Sequence, residues 1–180
     1  MPVGTQNTRQ YYRLNGKSAQ IETGTKDNLT TYDYIEGNLS SINYKEDEYE
    51  GDTYYKYELI FTSEQGEEVL QVTADTVAAN GILNCLAWAA EEKGGIGWVK
   101  IRPYKPTGAR YTAVWMEMDG EKMEWLVDYK KTPSEPSKRQ AYFKRFYERV
   151  KEQLDKQQPK EAAQKEVAVD LDTVDEDLPF

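Results

Sequence analysis

Seven consecutive residues, Trp98-Val99-Lys100-Ile101-Arg102-Pro103-Tyr104, carry the strongest chemical pattern in the chain. Side chains alternate across an extended strand, so Val99 and Ile101 share one face while Trp98, Lys100, Arg102 and Tyr104 share the other. Rings interleaved with cations suit single-stranded nucleic acid, because rings stack on bases of any identity and cations meet phosphates. The plainer account has Trp98 covering one end of a barrel and the cations as ordinary solvated surface. The same alternation in Tyr111-Thr112-Ala113-Val114-Trp115-Met116-Glu117-Met118 buries Val114, Met116 and Met118 and turns Tyr111, Ala113 and Trp115 to the opposite face. Lys105 and Arg110, in the connection between these two segments, add two cations. A third segment, Thr53 to Phe61, buries Tyr55, Tyr57, Leu59 and Phe61 and exposes Tyr54 and Lys56. The opposite parity also fits there, since both faces are apolar.

Catalytic chemistry finds little material. The sequence contains no His, which removes the commonest general base and metal ligand. Its one cysteine, Cys85, lies on an apolar helical face and reads as core rather than nucleophile. No Gly-rich phosphate loop or paired-cysteine metal motif is present. The carboxylates Glu46, Asp47 and Glu48 could meet a divalent cation, and solvated loop charge accounts for them as well. The expectation is a non-enzyme without metal or cofactor.

The elements that must position the Trp98 strand follow in order. Asn15-Gly16 is a tight-turn pair between Gln10–Leu14 and Lys17–Ile21, which predicts an N-terminal hairpin or arm over residues 1–30. Tyr34 to Tyr44 reads as a long first strand with a bulge at Gly37, followed by an acidic loop from Lys45 to Asp52. Thr53–Phe61 and Glu67–Ala74 are the second and third strands. Val77, Ile82, Leu83, Leu86, Ala87 and Ala90 recur at helical spacing from Thr76 to Lys93, and Gly94-Gly95 ends that helix. Gly97–Pro103 and Arg110–Met118 are the fourth and fifth strands, and Asp119-Gly120 turns into a further strand, Lys122–Val127. Three strands, a helix and two strands is the order of the OB-fold, a five-stranded Greek-key barrel, expected over residues 31–130.

A helix follows at residues 131–158. Phe143, Phe146, Tyr147, Val150 and Leu154 form its apolar stripe, and Lys138, Arg139, Lys144, Arg145, Arg149 and Lys151 its basic face. The stripe could pack on the barrel or pair with a second copy, so a homo-oligomer is one expectation. Pro159 is expected to end the helix, leaving residues 159–180 as a flexible linker and acidic tail. The chain of 180 residues has a net charge of −9. That total hides an asymmetry: residues 44–68 hold two Lys against nine Asp/Glu, whereas residues 98–151 hold thirteen Lys/Arg against seven Asp/Glu. A basic half of this kind is the footprint of a phosphate-binding surface. No stretch is long and apolar enough for a membrane span, the N-terminus has no apolar signal core, and the lone cysteine fits a reducing compartment.

The chain closes on Asp175-Glu176-Asp177-Leu178-Pro179-Phe180. Leu178 and Phe180 supply apolar area, Pro179 fixes the backbone between them, and three acids precede them. This end resembles the acidic C-terminal tip, ending in Pro-Phe, of bacterial and phage single-stranded DNA-binding proteins. The resemblance is specific at residues 170–180; over residues 31–130 it rests on strand order alone. It implies a protein that coats single-stranded DNA without strong sequence preference during replication, recombination and repair. It also implies that the tip recruits replication proteins of the polymerase, primase or helicase class, Phe180 filling a pocket and Asp175, Glu176 and Asp177 meeting a basic rim. The implied setting is the cytoplasm of a bacterium or of a phage-infected host. The N-terminal extension, the acidic insertion and the basic helix depart from the cellular bacterial type and resemble a phage-encoded member. Two other readings remain beside it: an OB-like replisome adaptor that binds proteins but not DNA, and a nuclease or other enzyme on a small barrel.

Overall fold

The computed structural model describes the backbone of residues 8–176 and the side chains of residues 8–158. The side chains of Asp175 and Glu176, and the residues Asp177, Leu178, Pro179 and Phe180 of the expected partner-binding tip, lie outside what is described.

Strand pairing organises the chain into one nine-stranded sheet. The strands are β1 (Thr8–Asn15), β2 (Gln20–Thr25), β3 (Asn28–Tyr32), β4 (Ile35–Tyr49), β5 (Asp52–Ser63), β6 (Gly66–Thr73), β7 (Trp98–Tyr104), β8 (Ala113–Met118) and β9 (Glu121–Lys122). They lie in the order β3-β2-β1-β6-β5-β4-β7-β8-β9. Every pairing is antiparallel except β1 with β6. Closure of the expected five-stranded barrel would need β8 to reach the free edge of β6. The N-terminal hairpin takes that edge instead, with Thr8 opposite Gly66 and Arg13 opposite Gln71, so the hydrogen-bonded sheet stays open. Gly66 permits this close approach: its φ is +137°, and a Cβ there would lie 2.5 Å from the Thr8 carbonyl oxygen.

Three local expectations are corrected. The acidic stretch is not a loop. Lys45 to Tyr49 continues β4 and pairs with β5 across a two-residue turn, Glu50-Gly51, whose φ values of 52° and 84° suit a primed hairpin turn. Tyr-rich β5 supplies enough cross-strand partners to hold an acidic strand in register. The bulge lies at Ser40 rather than Gly37. It shifts the alternation by one residue, so that Leu39 and Ile42 both face the core, and the Ser40 hydroxyl donates to the Ile60 carbonyl at 3.0 Å. The strand after Asp119-Gly120 ends at Lys122.

Helix α1 (Val77–Trp88) starts where Thr76 accepts a hydrogen bond from the Ala79 N–H at 3.1 Å, and a π-helical turn (Ala89–Lys93) carries it to Gly94. Helix α2 is Pro136–Glu176 and passes through Pro159, where its end was expected. The proline removes one backbone donor, while the following Lys160-Glu161-Ala162-Ala163-Gln164-Lys165-Glu166 are strong helix formers. Its stripe of Phe143, Phe146, Tyr147, Val150 and Leu154 is buried against α1 and β4 of the same chain. Tyr147 lies 5.5 Å from the Tyr57 ring and 6.0 Å from the Tyr44 ring.

Two helix amides act as substitute strand partners. Asn84 donates to the Val127 carbonyl at 2.8 Å and accepts from the Val127 N–H at 3.0 Å. Gln157 does the same for Ile96, at 2.9 Å in both directions. The first of these pulls the chain after Met123 toward α1 and off the β8 edge, which is why β9 is short.

Candidate nucleic-acid interface

β7 alternates as its sequence requires: Val99, Ile101 and Pro103 are buried, whereas Trp98, Arg102 and Tyr104 are exposed and Lys100 is half-buried. Directly opposed residues share a face, so the register extends this surface across the neighbouring strands. Lys100 stands opposite Glu36 of β4 and Glu117 of β8, and Arg102 stands opposite Trp115. Both helices pack on the other face, which carries Ile101, Leu59 and Tyr57. The sheet therefore holds Trp98, Lys100, Arg102, Tyr104 and Trp115 together, on the side turned away from the core.

Contacts between these residues alternate ring and cation. The Lys100 ammonium lies 4.2 Å and the Arg102 guanidinium 5.6 Å from the centre of the Tyr34 ring. The Lys122 ammonium lies 4.9 Å from the Trp115 ring. Carboxylates orient the indoles: Trp115 Nε1 donates to Glu117 at 3.2 Å and Trp98 Nε1 to Glu36 at 3.5 Å. Trp98 is 51 % and Trp115 43 % exposed, so ring area remains open to a stacking partner. Tyr34, Lys122 and Trp125 join the surface without having been expected there. Tyr34 precedes β4 in the parity of Glu36, a signal the alternation contained; Lys122 and Trp125 arrive through a turn whose exit no local pattern fixes.

The other expected residues are placed differently. Tyr54 and Lys56 share the sheet face but sit toward the Glu50-Gly51 end of the β4–β5 hairpin, tied to Asp47 by bonds of 3.1 Å and 2.8 Å. The Lys56 ammonium, the Glu48 N–H and the Tyr54 hydroxyl together hold the Asp47 carboxyl below the usual carboxylate range. Lys105 donates to the Lys17 carbonyl at 2.8 Å, which fastens the β7–β8 connection to the N-terminal hairpin. Arg110 is exposed, and Tyr111 lines a separate recess with Leu14, Thr76 and Val77 beside the start of α1.

The single basic half expected from residues 98–151 is divided by the sheet. The cations of α2 lie on the helical side and several are engaged: Arg139 forks onto Asp75 at 2.9 and 3.2 Å, Arg149 pairs with Glu91, Lys138 pairs with Glu135, and Lys144 lies 5.0 Å from the Tyr44 ring. Charge counted along a chain cannot say which side of a sheet it reaches.

A cleft of about 490 Å³ adjoins the surface at the outer edge of β8, lined by Tyr104, Trp115, Lys122, Glu124, Trp125 and Asp128, with Cys85 and Val114 among its walls. Burial, followed by the nearby Glu124 charge, pushes the Cys85 thiol up to about 12, so it stays a neutral wall residue. Among the described residues no group of three or more His, Cys, Asp or Glu side chains could hold a metal ion, and no helix is long and apolar enough to cross a membrane.

Comparison with protein-family models, with curated proteins and with solved structures finds no match to this chain.

Proposed function

We propose that the chain binds single-stranded DNA without strong base preference, on the β7–β8 face, and brings replication proteins to it through its acidic C-terminal end. The observation that carries the first half is the interleaving of Tyr34, Trp98, Tyr104 and Trp115 with Lys100, Arg102 and Lys122 on one exposed sheet face. Stacking supplies about 1–3 kcal/mol per base whatever the base, and the cations supply a salt-dependent, sequence-independent term. In this reading β4 to β8 with α1 form an OB-like unit whose third strand is capped by the N-terminal hairpin rather than by β8. The second half rests on the sequence Asp175 to Phe180 and its resemblance to single-stranded DNA-binding proteins.

The test is a titration of intrinsic tryptophan fluorescence with oligo-dT at several salt concentrations. Quenching that saturates, and weakens as salt rises, supports the reading. No quenching together with no gel shift refutes it and leaves an adaptor that binds only proteins. Recruitment is tested separately, by comparing capture of host polymerase, primase and helicase by the full chain and by a chain lacking residues 170–180. Equal capture refutes the role of the tip.

A further inference from the structure

The cleft beside β8 has a feature that a general stacking surface does not need. In the β7–β8 ladder Val114 stands opposite Pro103, which has no N–H to give. The Asp119 N–H donates to the Trp98 carbonyl at 2.8 Å, which fixes the alternation along this ladder: Val114 is a non-hydrogen-bonded position toward β7, and its own N–H and carbonyl point to the other side. The neighbouring ladder agrees: two residues on, the Met116 carbonyl accepts from the Met123 N–H at 2.9 Å on that outer side. With Glu117 opposite Lys122 and Met118 opposite Glu121, the next outer pair would be Val114 with Trp125. That pair does not form, because Asn84 holds Val127 and draws residues 124–127 away. Among the described residues, no hydrogen bond from outside the strand ladders reaches the Val114 N–H or carbonyl.

We infer that this gap is a base-binding pocket in which one unstacked nucleobase lies between Trp115 and Trp125 and bonds through its edge to the Val114 main chain. The inference rests on the proposed DNA binding and assigns one nucleotide of the bound strand to a defined place. A donor next to an acceptor on one residue matches every nucleobase, since each has a ring nitrogen and an exocyclic group of opposite hydrogen-bonding sense side by side. Such a pair grips any base and selects none, in keeping with a coating function. The cleft's 490 Å³ is ample for a base, and Lys122, beside Trp115, is placed for the attached phosphate. An added peptide strand fits less well, because Met116 and Met118 already have partners from the turn and Val114 is the one position left open toward the cleft.

The experiment uses the full chain and a set of dT oligonucleotides, one intact and the others with a single abasic position moved along the strand. The expected result has three parts. Trp125→Ala weakens binding of the intact oligonucleotide roughly 5- to 150-fold, the range for one stacked base. Trp125→Phe recovers most of that loss. One abasic position weakens the unaltered protein markedly more than it weakens Trp125→Ala, whereas the others weaken both equally. In parallel, the 15N-labelled Val114 amide shifts on adding oligo-dT. Folding of each variant is checked by its melting curve. If the unaltered protein binds DNA and Trp125→Ala binds as tightly, the pocket is overturned while the proposed function stands. If the Val114 amide shifts with an extended peptide and not with DNA, the gap is a peptide site and the inference is overturned. If the unaltered protein binds no DNA, both fall together.

Discussion

Removing the Lys100 ammonium is the sharpest probe of the β7–β8 face. Lys100, Arg102 and Lys122 lie on that face with no ion-pair partner among the described residues, their ammonium and guanidinium groups resting on Tyr34 and Trp115. If each meets one phosphate, a single strand releases about 0.7 counterion per contact, and log K should fall against log[salt] with a slope of about −2. Lys100→Ala should then bring the slope to about −1.4, with the loss of affinity largest at low salt. Lys56→Ala should leave the slope unchanged, because the Lys56 ammonium is already bonded to Asp47 at 2.8 Å. The assay is fluorescence or anisotropy with oligo-dT between about 50 and 300 mM NaCl, the range in which such slopes are resolved. Equal slopes for Lys100→Ala and the unaltered protein would refute the placement of the strand along β7. A flattened slope for Lys56→Ala would move the phosphate path to the β4–β5 hairpin.

Two further predictions concern what holds that face in place. Asn84→Ala, at a buried position, strips the half-buried Val127 N–H and carbonyl of their partners, which costs about 1–3 kcal/mol and lowers the melting temperature by several degrees; an unchanged melting temperature would show that the clamp on residues 124–127 is dispensable. Burial alone would raise the Glu58 carboxyl, but the bonds from Lys45 and Gln71 outweigh it and hold the group below the ordinary glutamate range. Its contribution to stability is therefore complete above the unfolded value of about 4.3 and is lost as pH falls through the lower folded value, so Glu58→Gln should flatten the acid limb of a stability–pH curve. An acid limb identical in the variant would show that other carboxylates govern it.

Much of this architecture follows from local rules. The inward and outward residues of β7 and β8, the apolar face of α1 and its stop at Gly94, and the apolar stripe of α2 were legible because period-2 and period-3.6 patterns are imposed by the backbone itself. An N-terminal hairpin was legible, but its turn is not the Asn15-Gly16 pair: Asn15 stands opposite Gln20, and residues 16–19 make the connection. Local rules misjudged Lys45 to Tyr49, whose charges suit a loop until the Tyr-rich β5 stands opposite, and Lys122 to Val127, whose strand character loses to one distant asparagine.

Residue order thus determined which side chains share a strand face: Trp98 with Lys100, Arg102 and Tyr104 is a consequence of alternation and needs no neighbour. Only the tertiary structure decided which faces meet. It placed the N-terminal hairpin on the edge of β6 that a closed barrel would use, set the basic face of α2 behind the sheet, away from Lys100, and opened the gap at Val114 through Asn84, 43 positions from its partner Val127. Edge pairing, layer side and long-range hydrogen bonds depend on elements that are far apart in the chain, and no window of sequence short enough to show a period contains both partners.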